Sequence, residues 1–127
     1  MTNKHTIATG NQDSTLVASE ILNSGGNAYD AIIAALFMSF VTEPLLSSIG
    51  GGGYLLSKPV DKKAQLYDFF AQTPHDKSLQ EKDFYPIQGD FGDTQQEFHI
   101  GMAAAAVPGL PAGVFAVHQS LATMSLQ

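Results

Sequence analysis

Four consecutive glycines, Gly50 to Gly53, stand between Ser47-Ser-Ile49 and Tyr54-Leu-Leu56. Each glycine held in ordered structure costs roughly 0.5–1 kcal/mol relative to alanine, so such a run costs about 2–4 kcal/mol. A fold that keeps it needs the backbone there either to cradle a ligand or to pass tightly against another layer. The cradle does not suit the context. A Walker loop continues as Gly-Lys-[Ser/Thr] into a helix, and the dinucleotide fingerprint has a strand before its glycines and a helix after them. Here a helix and a loop precede the run, and Tyr54-Leu-Leu56, which reads as a strand, follows it. Close backbone packing against a neighbouring layer is therefore the expected role of Gly50, Gly51, Gly52 and Gly53.

The flanking segments read as alternating helix and strand. Thr6-Ile-Ala-Thr-Gly10 is a candidate short strand. Asp13 or Ser14 can cap a helix to about Asn23, with Leu16, Val17, Glu20 and Ile21 at helical spacing and Gly25-Gly26 as the stop. Asn27 can cap a second helix, Ala28 to about Phe40, apolar nearly all round and so expected to be buried on most faces. Pro44 ends it by pushing Glu43 out of the helical region. After the glycines, Tyr54–Ser57 and Ala64–Ala71 read as a hairpin, and Thr73-Pro74 breaks its second strand. Residues 75–97 turn polar and acidic and read as an irregular surface excursion. Phe98–Pro108 is a third strand candidate, and Ala112 to about Met124 is a last helix, expected to run out uncapped. No repeat or linker divides the 127 residues. They read as a single α+β segment, half of a layered structure whose other layers are missing.

Composition narrows the function. The net charge is −6, and all six basic residues are scattered lysines, with no arginine. Backbone-directed nucleic-acid binding needs a basic stripe, so DNA and RNA are not expected partners. The longest apolar run, Ala31 to Val41, is far shorter than the ~20 residues that span a bilayer, so no membrane span is expected. The N-terminus has no apolar stretch of signal-peptide type, which points to the cytoplasm. Cysteine is absent, which excludes thiol chemistry and disulfides. His5, His75, His99 and His118 have no ligand spacing, so no metal site is expected. Ser47-Ser48 lacks the Gly-x-Ser-x-Gly elbow of serine hydrolases, and Asp68 and Asp90 read as lone turn or strand-end carboxylates. In Asp68-Phe-Phe-Ala-Gln-Thr-Pro74, a strand end carrying two aromatics and a glutamine could face a pocket, with at least one of Phe69 and Phe70 in the core.

Taken in order, four blocks resemble the N-terminal part of the large subunit of the gamma-glutamyltransferase (gamma-glutamyltranspeptidase) family. They are Leu16-Val-Ala-Ser-Glu-Ile-Leu22 with Gly25-Gly-Asn-Ala-Tyr-Asp-Ala31, Val41-Thr-Glu-Pro44, Ser48-Ile-Gly-Gly-Gly-Gly-Tyr54, and Ala104-Ala-Ala-Val-Pro-Gly109. The resemblance implies part of an Ntn-hydrolase four-layer αββα sandwich. Its precursor cleaves itself, and the new N-terminal threonine of the small subunit attacks a gamma-glutamyl amide, with its own amine as base. The implied partners are the remainder of the same precursor and a small-molecule amide substrate. No cofactor is implied, and no catalytic residue is expected within this chain.

One departure bears on substrate choice. Relatives carry an Asp-Gly-Arg-Glu-like segment after the second hairpin strand, whose arginine binds the substrate's alpha-carboxylate. Here Asp68-Phe-Phe-Ala71 places Phe70 at the arginine's position. A planar two-pronged donor has no counterpart in phenylalanine, so Phe70 and the nearby Gln72 are expected to line an aromatic pocket for another acyl or amide substrate. A non-catalytic interaction module derived from the family is the alternative reading, and a small nucleotide-binding protein comes third.

Overall fold

The computed structural model describes residues 5–75 and 83–126. The chain runs α1 (Gln12–Asn23), α2 (Ala28–Thr42), β1 (Tyr54–Ser57), β2 (Gln65–Asp68), β3 (Tyr85–Asp90), β4 (Gln95–Ile100), a short 3-10 turn (Met102–Ala104) and α3 (Leu110–Leu121). Before α1, residues 6–9 form no strand, contrary to the sequence expectation. Among the described residues no strand lies beside them to complete a ladder; instead Ile7 packs on the alanine seam between the helices.

The cap of α1 is Asn11, not Asp13 or Ser14: the Asp13 N–H donates to Asn11 Oδ1 at 2.8 Å. Ser14 is thereby turned inward and buried. Gly25, at φ +95°, closes the helix in the left-handed region that L side chains rarely adopt. Small residues then let α1 and α2 lie close together, with Ala18, Ala31 and Ala35 as their buried seam. Asn27 caps α2 as expected and forms a reciprocal capping box with Asp30. The helix is less enclosed than its composition suggests, because Ile32, Phe37 and Val41 remain exposed.

Strands β1 and β2 pair antiparallel, with Leu55 opposite Tyr67 and Leu56 opposite Leu66. The pleat sorts them by face. Leu55, Tyr67 and Phe69 turn inward onto a core of Ile33, Leu110, Val114 and Val117 from α2 and α3. Ser57 is buried on the same face, its Oγ 2.6 Å from the Tyr29 hydroxyl. Tyr29→Phe would leave that hydroxyl alone, and a lost partner of this kind costs about 1–2 kcal/mol. The expected result is a lower urea midpoint at unchanged m-value; an unchanged midpoint would show that water reaches Ser57.

The segment expected to be irregular contains a hairpin. β3 and β4 pair over six residues each, from Tyr85 opposite Ile100 to Asp90 opposite Gln95. Its turn is local chemistry: Asp90 Oδ1 accepts the Gly92 N–H at 2.9 Å, and Gly92 sits at φ +87°. Residues 76–82 of that expectation lie outside the described residues. The third strand also stops sooner than expected, at Ile100. Gly101, at φ +110°, breaks it against the Asp83 carbonyl, and of the expected strand's last residues only Val107 pairs, bridging Gln72.

Helix α3 starts at Leu110 and ends at Leu121, and its end is held rather than frayed. Asn27 Nδ2 donates to the Leu121 carbonyl at 2.7 Å, while the Thr123 and Met124 N–H groups donate to Asp30. No helix among the described residues is long and apolar enough to cross a membrane.

Candidate functional site

The site grows from the way the chain leaves α2. Pro44 stops the helix, and the Leu46 and Ser47 N–H groups fold back onto the Glu43 carbonyl at 2.9 and 3.0 Å. The glycine run then threads between two elements. The Gly51 carbonyl accepts the Leu110 N–H at 3.2 Å, and Gly53 exchanges both backbone bonds with Phe69, at 3.1 and 3.3 Å.

Between them, Gly52 is pressed onto the end of β2: a methyl there would lie 2.8 Å from Phe70 Cα. Close packing is thus seen at Gly52 and Gly53, which meet Phe69, Phe70 and Ala71 after β2 and Leu110 of α3. Gly50 has no such neighbour; the nearest atom to a methyl there would be Ser48 Oγ at 3.9 Å.

Beside this turn lies an open cavity of about 580 Å³. One face of α2 lines it with Ile32, Ala35, Leu36 and Ser39, and Glu43, the residue that caps the helix, extends that lining. The far side comes from Gly51–Gly53, Tyr54, Phe69 and Leu110, and Ser14 reaches it from α1. Ser39 Oγ lies 2.8 Å from Ser47 Oγ and donates to the Leu36 carbonyl at 2.7 Å. Glu43 is the one carboxylate of the lining, and none of the described lining residues is cationic.

Phe70 and Gln72 lie outside that lining. Phe70, half exposed, stacks on Tyr54 with ring centroids 5.6 Å apart and 14° between planes, on the outer face of β1–β2. Asp68, directly across from Tyr54, accepts the Phe70 N–H at 3.0 Å. Gln72 is fixed through its backbone to Val107, at 2.8 and 3.0 Å, and its exposed amide turns back towards the Phe70 carbonyl. Phe69, by contrast, is the core aromatic of the pair. Two cavity groups, Ser14 and Ser39, stand out in neither composition nor motif, and only the packing of α1 on α2 brings them to one space. The block Val41-Thr-Glu-Pro44 marked the place without showing that Glu43 faces a cavity.

Ser47 is paired with Ser39 and with no histidine among the described residues: His118 binds the Met124 carbonyl and His99 lies 3.8 Å from Glu97. No group of three or more His, Cys, Asp or Glu side chains among the described residues could hold a metal. Residues 14–127 match the family model described as Gamma-glutamyltranspeptidase.

The chain belongs to the gamma-glutamyltranspeptidase family.

Among its relatives, the glutathione hydrolase proenzyme of Pseudomonas aeruginosa is 36% identical over 104 residues, covering 81% of this chain and 18% of the relative. The corresponding proenzyme of Escherichia coli is 30% identical over 120 residues, 94% of this chain and 20% of its own length. This chain thus spans about a fifth of those relatives. The solved gamma-glutamyltranspeptidase from Pseudomonas nitroreducens, complexed with L-DON, superposes with a TM-score of 0.73 at 29% identity, covering 98% of this chain and 36% of that one. The Helicobacter pylori gamma-glutamyltranspeptidase gives a TM-score of 0.71 at 25% identity, covering 96% and 35%. The architecture of this chain is accordingly a partial α+β fold of the Ntn-hydrolase type.

Proposed function

We propose that this gamma-glutamyltranspeptidase chain supplies one helix layer and part of one sheet to an αββα amidase, hydrolysing or transferring the acyl group of a gamma-glutamyl or related amide. One observation carries the reading. The β1–β2 sheet is covered by α2 and α3 on one face, while the other presents Tyr54, Leu56, Leu66 and Phe70, with Leu56 70% and Leu66 59% exposed. Fully burying such side chains is worth about 1.5–3 kcal/mol each, and in an αββα sandwich a second sheet covers that face. The remainder of the precursor supplies that sheet in this reading, together with the small subunit and its N-terminal threonine nucleophile, which needs no cofactor.

The test uses the full-length protein. Self-cleavage to a fragment beginning with threonine, and hydrolysis of a gamma-glutamyl or simple acyl anilide that is lost with that threonine, are the expected results. An uncleaved protein inert to both anilides would refute the reading and favour a non-catalytic module. Substrate choice follows from Phe70. A charged contact to a carboxylate is worth about 2–5 kcal/mol, so Phe70→Arg is expected to raise kcat/KM for glutathione thirty-fold or more. If glutathione were already cleaved well by the natural protein and unaffected by Phe70→Arg, then Phe70 would not stand at a carboxylate subsite.

A further inference from the structure

We propose that the cavity beside the glycine turn binds a small amphiphilic amine, its ammonium group held at Glu43 and its apolar part between α2 and the β1–β2 sheet. Three features converge there.

The first is a buried hydroxyl without a partner. Ser14 is 2% exposed and lines the cavity, yet its Oγ has no hydrogen-bond partner among the described residues. Buried polar atoms are nearly always satisfied, so an orphan one at a cavity wall marks a place where a ligand or water completes the bond.

The second is Glu43. It is half-buried and lines the cavity, and among the described residues its carboxylate has no ion pair. Backbone makes room for it: a methyl at Gly10 would lie 3.2 Å from Glu43 Oε1. Among the described residues no cation lines the cavity, so a cationic ligand would complement Glu43.

The third is the gradient along α2. Ser39 and Glu43 stand at its C-terminal end, and Ile32 and Leu36 lie one to three turns earlier, facing a space shared with Phe69 and Leu110. That order sets a polar, anionic end against an apolar one. The C-terminal end of a helix also carries partial negative charge, which favours a cation beside Glu43. An alkylammonium ion matches all three: three N–H donors for Glu43 and the serine hydroxyls, and a hydrocarbon tail for Ile32, Leu36 and Phe69. A carboxylate ligand would meet Glu43 as a like charge, and a neutral alcohol would leave it unpaired.

The test is calorimetric titration of the full-length protein with hexylamine, hexanol and hexanoate. Hexylammonium is expected to bind about tenfold more tightly than hexanol, with hexanoate weakest. Glu43→Gln, which keeps the volume, should bring hexylammonium down to the level of hexanol. Glu43→Lys should reverse the order in favour of hexanoate, a gain that misfolding cannot produce. Absence of saturable binding, equal binding of all three, or an amine preference that survives Glu43→Gln would overturn the proposal. It draws on the cavity alone. An amidase that ignores hexylamine would sink this inference and leave the activity standing, and an inert protein that binds it would do the reverse.

Discussion

Replacing Asp30 by alanine is expected to destabilise the protein by about 2–4 kcal/mol, because one carboxylate joins the start of α2 to the end of α3. Its oxygens accept the Asn27 N–H at 2.8 Å, the Thr123 N–H at 3.1 and 3.2 Å, the Thr123 hydroxyl at 2.7 Å and the Met124 N–H at 3.0 Å. Thr123 and Met124 lie 93 and 94 residues from Asp30 in sequence, so the carboxylate closes a long loop of the chain. Alanine would remove the shared acceptor of three backbone donors and a hydroxyl; Asp30 is buried, while Thr123 and Met124 are exposed and can turn to water. Asparagine would retain one acceptor but turn an NH₂ towards donors, and should cost somewhat less.

The same residue sets an acid limit. Burial by itself would raise the Asp30 pKa, but the hydrogen bonds from Asn27, Thr123 and Met124 outweigh it and hold the group below its ordinary 3.8. A depressed folded pKa means that the unfolded chain binds the proton first. The stabilisation is therefore fully present above the ordinary value and fades as pH falls from there through the folded pKa. Urea midpoints of the full-length protein, measured from pH 6 down to pH 2, should show this limb, and the limb should shrink in Asp30→Asn. A pH profile identical in wild type and variant would show that Asp30 does not carry it.

Gly52→Ala should be the second most damaging change, and Gly50→Ala, two residues away, close to harmless. A methyl at Gly52 would lie 2.8 Å from both Cα and C of Phe70, and backbone has no rotamer with which to yield. Overpacking of this kind costs about 1–3 kcal/mol, occasionally more, and here it would also push apart the paired Gly53 and Phe69. At Gly50 the nearest atom would be 3.9 Å away, so the change should stay within about 0.5 kcal/mol. Comparable urea midpoints for the two variants would contradict the packing described for the glycine turn.

Local chemistry made part of this protein legible in advance. The capping box at Asn27 and Asp30, the stop at Pro44, the β1–β2 hairpin, and the assignment of Phe69 or Phe70 to the core are decided by residues within a few positions of one another, and the structure has them all. The four blocks also sufficed to point to the gamma-glutamyltranspeptidase family. The β3–β4 hairpin was equally local, yet its polar alternation concealed it: all of β4 and nearly all of β3 is exposed, so no apolar face announces the strands. Its signal was the Asp90-Phe-Gly-Asp93 turn.

What tertiary structure alone decided lies in contacts that join distant residues. Asp30 holding Thr123, Glu43 and Ser14 meeting at one cavity, and Gly52 wedged on Phe70 depend on how α1, α2, α3 and the sheet pack, and no periodicity or spacing carries that information. The glycine run shows the division plainly. Its cost told from sequence that the backbone must pass close to something; only the packing showed that Gly52 bears the contact, that Gly50 does not, and that the surface is the chain's own strand end. A missing side chain declares that space is short, whereas the neighbour that occupies the space is chosen by the whole fold.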